Sequence, residues 1–354
     1  MNKVPVLPTA VIGSYAHPAW LYAAEDWIKR DLFGPTDIEE TKNDAVDRAI
    51  LDQEQAGVDI ITDGEMRRGS FVWAFASRIT GLRDAGPLRK VGEVGLDMRS
   101  IWETTGRIGV PNGLGAVEEY NYLKAHTNRA TKISLPGPFA MTTFQKPVEY
   151  YRDRPHLAEA YVPALNDEIR RLAAAGCQFI QLDEPATPGH GYDPHKPRDL
   201  ARLFNACIEG VTGVKFALHI CFGTFRKIPY AKKTYAPYFP DLLEAKADQF
   251  CFEFATREMA EIDRWKEWAP DRELCAGVID VRTHYLETPH DVAERVRTCL
   301  RHVPAEKLYI APDCGLRYVA RWLALGKLKA MVEGTRIVRR EIGGCEDTRH
   351  LQAK

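Results

Sequence analysis

A histidine and a cysteine stand two residues apart, His219 and Cys221, inside the apolar run Lys215–Cys221 (KFALHIC). Side chains alternate along a strand, so the two share one face and offer a chelating bite. A further thiol, Cys314, closes another apolar run, Lys307–Cys314 (KLYIAPDC). One imidazole with two thiolates matches the preference of zinc. Glu253, in a strand-like run between them, is the carboxylate best placed to be a fourth, displaceable ligand. An H-x-C alone also arises in ordinary cores; the second thiol and the carboxylate shift the balance to a metal. Zinc held by two thiolates is a mild Lewis acid, suited to keeping a substrate thiol as thiolate. Hydrolytic zinc sites are more often built from His and carboxylate. The expected chemistry is therefore transfer of an alkyl group to sulfur.

Other polar residues could bind the rest of such a substrate. Glu65 and Asp183 are candidates to pair with an α-ammonium, and Ser14 with the amides after Gly13 could hold a carboxylate. Asp280 and His284 are candidates to protonate a leaving group. Plainer readings exist for some: a strand-end cap for Asp183-Glu184 before Pro185, and a tight turn at Gly13-Ser14.

These residues need a scaffold that brings strand ends together. Eight β-rich runs occur: 10–14, 58–65, 132–136, 178–184, 215–221, 249–254, 274–280 and 307–314. Most are near-continuously apolar, as strands buried on both faces are. Helical patterns lie between them at 38–55, 158–175, 197–208, 239–245, 257–268, 291–302 and 319–341, with caps and Gly stops at sensible places. Strand–helix alternation repeated eight times predicts an α/β fold, a (β/α)₈ barrel with its active site at the C-terminal strand ends. Seven of the eight ends carry an ionisable group, a hydroxyl or a thiol, and this convergence is the strongest functional signal. The spacing breaks between the second and third strands. Residues 66–131 read as a segment inserted into a single 354-residue domain.

Composition is that of an ordinary globular protein, 45% hydrophobic and 27% charged, with a net charge of −1. That balance argues against a polyanion-binding surface, since nucleic-acid contacts need a basic excess, though a local basic pocket is compatible with it. No run is long and apolar enough to predict a membrane span, and the N-terminus shows no secretory pattern. The eight cysteines contain no CxxC pair. They read as thiols of a cytoplasmic protein, most of them simply packed in the core.

The motifs VIGSY (11–15), TDGEMRRG (62–69), LPGP (135–138), IQLDEPA (180–186), HICF (219–222), FEFATRE (252–258), GVIDV (277–281) and APDCGL (311–316) occur in this order over nearly the whole chain. With them the chain resembles the catalytic half of cobalamin-independent methionine synthase. The resemblance implies a (β/α)₈ barrel in which zinc binds homocysteine as thiolate. It implies His219, Cys221, Glu253 and Cys314 as ligands, and Ile12, Gly13, Ser14, Glu65 and Asp183 as contacts to the amino-acid part of homocysteine. Three features depart from the family's long form. Its second, N-terminal barrel is absent; Arg282 stands where a catalytic His is expected, with His284 two residues on; and Phe144 is the nearest aromatic to an expected Trp. All three weaken methyl-folate as the donor. Shorter relatives are core methionine synthases, taking methyl from a methylcobalamin protein, and epoxyalkane:coenzyme M transferases, which add a thiolate to an epoxide. The latter need an Arg for the sulfonate of coenzyme M, and Arg67, Arg68 and Arg282 are the candidates. A lyase resembling uroporphyrinogen decarboxylase, which shares the barrel and needs no metal, is a third reading. Whether the chain forms a homo-oligomer is left open.

Overall fold

The computed structural model describes residues 3–69, 73–87, 90–92, 95–97, 100–143, 145–185, 197–224, 234–343 and 348–350. Six parallel strands form one continuous ladder: Ile133–Pro136, Phe179–Asp183, Lys215–Ile220, Gln249–Glu253, Glu273–Ile279 and Leu308–Pro312, each paired to the next in chain order. The circle is completed through short pieces. Thr9 bridges Ile310 and Ala10 bridges Ile60, both parallel. Ile60–Ile61 in turn pairs with Ala130–Thr131, which leads into Ile133–Pro136. Eight parallel strands thus close on themselves among the described residues. The first is only a pair of bridge residues, sewn in by Ala10 N–H donating to Ile310 O at 2.8 Å and Ile60 N–H donating to Thr9 O at 2.9 Å.

Strand alternation divides the apolar residues into two layers. One set points into the barrel: Ala10, Ile12, Ile60, Ala130, Phe179, Ala217, Cys251, Cys275, Tyr309 and Ala311 pack together there. The other set faces the helices and forms the larger core. The interior also holds buried polar groups, among them Lys132, Gln181, Lys215 and His219. A layered, filled interior is the rule for these barrels.

The helices are Ala19–Lys29, Pro35–Ala56, Ala116–Ala125, Arg154–Ala174, Pro197–Ile208, Pro289–Leu300 and Arg321–Glu341, with two single-turn pieces at Pro138–Met141 and Trp265–Trp268. Their starts follow local chemistry. Thr288 and Asp291 form a reciprocal capping box, and Asp153 Oδ1 accepts from His156 N–H at 2.9 Å. Gly57 stops the second helix with φ at 82°, a left-handed conformation that suits glycine.

Two expected helices are not formed as such. Residues 239–245 contain only 3₁₀ turns beside Ala236–Tyr238, because Pro237 and Pro240 remove amide donors. In 257–268, Glu258, Met259 and Glu261 all have positive φ, which breaks the run into 3₁₀ turns before Trp265–Trp268. Helices Ala19–Lys29 and Ala116–Ala125 lie outside the expected helical stretches.

Between the second and third strands, Thr80–Pro87 and Ser100–Gly109 form an antiparallel hairpin. Its second strand pairs with Gln145–Lys146 just after strand three. Thr104 and Ile108 fasten it further, to the backbone of 148–149 and to the Tyr151 hydroxyl. The arm therefore lies along the loop that follows strand three, on the carboxyl-end side. Helix Ala116–Ala125 completes the connection to Ala130.

Candidate metal centre and substrate pocket

His219 and Cys221 come from strand five and the residue after it; Cys314 follows strand eight. Their ligand atoms all lie within 4.8 Å of one another. Cys221 Sγ and Cys314 Sγ are 3.5 Å apart. Two sulfurs each about 2.3 Å from a tetrahedral centre would stand roughly 3.8 Å apart, so the pair needs almost no rearrangement to share an ion. His219 Nδ1 lies 3.0 Å from the Cys251 carbonyl, an acceptor, so this nitrogen carries the proton. Nε2 is buried with no hydrogen-bond partner. An oriented imidazole with its second nitrogen bare is what a ligand histidine requires. The hydrogen bond from Cys221, against the pull of burial, holds the Cys314 thiol well below its ordinary value, with His219 helping. The same contact and burial push Cys221 up. Burial would depress His219, but the neighbouring Cys314 and Asp183 lift it to about 9, so without a metal Nε2 also carries a proton, which a bound ion would displace. One thiolate is thus already favoured in the cluster. The donor set and geometry fit zinc.

Glu253 ends strand six beside this set but is not part of it. Its Oε2 accepts from Arg282 Nη2 at 2.7 Å and from Phe222 N–H at 3.2 Å. Oε1 is buried and unpartnered. Burial pushes the Glu253 carboxyl up and the Arg282 guanidinium opposes it. Arg282 is further fixed by Gly223 O at 2.7 Å and Thr256 Oγ1 at 2.9 Å. Asp280 Oδ1 accepts from Arg282 N–H, so it serves the turn after strand seven. His284 is exposed on that loop. Thr256 and the three amides of 254–256 cradle the buried Asp313 carboxylate just before Cys314. Phe144 lies outside the described residues.

The expected amino-acid contacts gather on the neighbouring strand ends. The Gly13 carbonyl accepts from Thr62 Oγ1 at 2.6 Å, and the Ser14 carbonyl from Leu316 N–H at 2.8 Å. A Cβ on Gly13 would sit 2.5 Å from both Glu65 Oε1 and Ser134 Oγ, so only glycine lets the carboxylate approach. Ser134 Oγ donates to Glu65 Oε1 at 2.6 Å. Glu65 itself has φ of 55°, a left-handed backbone that turns its side chain into the barrel. Across the mouth, Asp183 is in register with His219 on the next strand. Burial pushes its carboxyl up to about 7, against the pull of His219.

Beneath these residues lies a set of supports, of which the sequence singles out only Arg68, and for a different role. Arg68 forms a buried fork onto Glu119, with contacts of 3.0 and 2.6 Å, and donates to Ser134 O at 2.9 Å. Gln181 and Lys132 stand under Asp183. Gln181 could have been found, because it precedes Asp183 by two on one strand and must share its face. Nothing in the sequence pairs Arg68 with Glu119, 51 residues away.

A closed parallel barrel with a His/Cys cluster and acidic groups at its carboxyl mouth is the layout of a barrel enzyme. Residues 7–336 match the family described as cobalamin-independent synthase, catalytic domain. The chain is 36% identical to a methionine synthase of Saccharolobus solfataricus, over 97% of this chain and 98% of that protein. It is 34% identical to a methionine synthase of Sulfurisphaera tokodaii, over 97% and 95%. Among solved structures, a B12-independent methionine synthase from Shewanella sp. W3-18-1, in complex with selenomethionine, superposes with a TM-score of 0.81 at 28% identity, covering 95% of this chain and 99% of that one. The chain belongs to the cobalamin-independent methionine synthase family, as a form of its catalytic domain. This membership removes the decarboxylase-like lyase reading.

Proposed function

We propose that the protein transfers a methyl group to the thiol of homocysteine, giving methionine, with zinc held by His219, Cys221 and Cys314 and with Glu253 as a displaceable fourth ligand through Oε1. The observation that carries this reading is the cluster of one imidazole and two thiols within 4.8 Å, at the same barrel mouth as an acidic pocket. Zinc in such a site lowers the pKa of a bound thiol, so that thiolate is available at neutral pH.

The chain's own residues do the rest. Glu65 and Asp183 converge on the substrate ammonium from strands two and four. Ser14 and the amides that follow Gly13 receive the carboxylate. Arg282 holds Glu253 Oε2, so the carboxylate would keep a defined position beside the metal-holding residues. Fixing the amino acid at both ends aims the sulfur along one line, and such positioning contributes on the order of 7–11 kcal/mol in well-oriented reactions. The family's donors, methyl-folate or a methylcobalamin protein, approach from the open side of this mouth.

Coenzyme M, with an epoxide as co-substrate, finds weaker support. Its sulfonate needs an available Arg, yet Arg68 is forked onto Glu119, Arg282 onto Glu253 and Gly223, and Arg67 reaches Asn43. The test is X-ray absorption on zinc-loaded protein with each thiol added separately. Homocysteine is expected to add a sulfur to the zinc; sulfur entering only with coenzyme M overturns the proposal.

A further inference from the structure

We infer that Gln181 is a positioning residue for the substrate ammonium, oriented by the buried Lys132; the inference rests on the reading of Asp183 as the ammonium's partner. Gln181 is fully buried on strand four, and its amide meets four partners. Oε1 accepts from Lys132 Nζ at 2.6 Å. Nε2 donates to Asp183 Oδ1 at 2.5 Å and to Ile12 O at 3.0 Å. The thiol of Cys251 also approaches Oε1, at 3.6 Å.

This pattern leaves the amide one orientation. Lysine only donates, and a carboxylate or carbonyl only accepts. Flipped, the amide would set its N–H groups against Lys132 and its oxygen against two acceptors. Lys132 thereby decides which way Gln181 faces. Gln181 in turn ties the carboxylate of strand four to the carbonyl of strand one, two of the proposed contacts to the amino acid. With Oδ1 held, Asp183 presents Oδ2 to the ligand in a fixed direction. A lysine with no exposed surface is a costly device. Packing alone would be served as well by Met, which has similar length and no charge.

The test is calorimetric titration of zinc-loaded protein with homocysteine and with 4-mercaptobutyrate, which has the same thiol and carboxylate but no amino group. Gln181→Met should weaken homocysteine by about ten- to a hundred-fold, the loss of one hydrogen bond to a charged group, while 4-mercaptobutyrate binds as before. Because that variant strands Lys132, the double variant Gln181→Met with Lys132→Met removes the relay and leaves no orphaned charge. It should lose the same preference for the amino thiol, and Lys132→Arg, which keeps a donor, should retain most of it. A double variant that prefers homocysteine as strongly as the wild type overturns the inference, and so does equal weakening of both thiols. A wild type that does not distinguish the two thiols overturns the reading of Asp183 itself, and the inference with it.

Discussion

At the scale of single residues, the candidate centre is notable for how much of it is ready. The sulfurs of Cys221 and Cys314 already approach to 3.5 Å, and the free nitrogen of His219 is bare and buried. Removing one thiol should therefore lose the metal without reshaping the barrel. Cys314→Ser is expected to come through gel filtration with little zinc, where the wild type keeps roughly one per chain. Full retention in that variant, read by atomic absorption, would sink the ligand assignment. These three residues were legible in the sequence because strand alternation puts H-x-C on one face and a barrel aligns strand ends. The state of Glu253 was not legible. Its engagement by Arg282 depends on a loop turning back from strand seven, and no periodicity reports that. The same contact gives Arg282 a local role where the family resemblance had expected a histidine.

At the scale of elements, the short helix Ala116–Ala125 does more than link strand two to strand three. Its Glu119 takes both arms of Arg68, and Arg68 belongs to the turn that carries Glu65. Both side chains are buried. Breaking a buried pair by removing one charge typically costs about 3–5 kcal/mol. Glu119→Gln is expected to lose stability of that order in a guanidinium titration and to weaken homocysteine binding through Glu65. A loss below about 1 kcal/mol would mean that Arg68 finds another partner. No sequence pattern signals this support, since the helix sits within the stretch 66–131, which reads as an insertion. The strands were read more easily than the helices, because buried parallel strands are continuous apolar runs whereas prolines and positive-φ residues in 236–261 broke an otherwise helical pattern.

At the scale of the whole molecule, the mouth concentrates buried acids. Burial, with Glu119 adding, pushes Asp63 up to about 7, and burial does the same to Asp183. The folded chain then holds protons that the unfolded chain releases near the ordinary carboxyl value of 3.8. Across that window the folded state binds more protons, so these groups cost stability as pH rises from about 4 through 7. Asp63→Asn removes one such cost. The variant's advantage over the wild type, measured on metal-free protein by guanidinium unfolding, should be about 2 kcal/mol at pH 5 and grow towards pH 8, to at most about 4 kcal/mol. An advantage that does not change with pH would show that Asp63 stays ionised throughout.

The Cys221–Cys314 contact joins residues 93 apart in the chain. Any ion gripped by both sulfurs is therefore a removable cross-link across the last four strands. An ion that binds the folded chain and not the unfolded one stabilises the fold by its binding free energy, which grows with the free concentration of the ion. The residues that would prepare the substrate sulfur would thus also govern how long each molecule survives. In a cell short of the metal, the less stable metal-free chain would turn over faster than the loaded one.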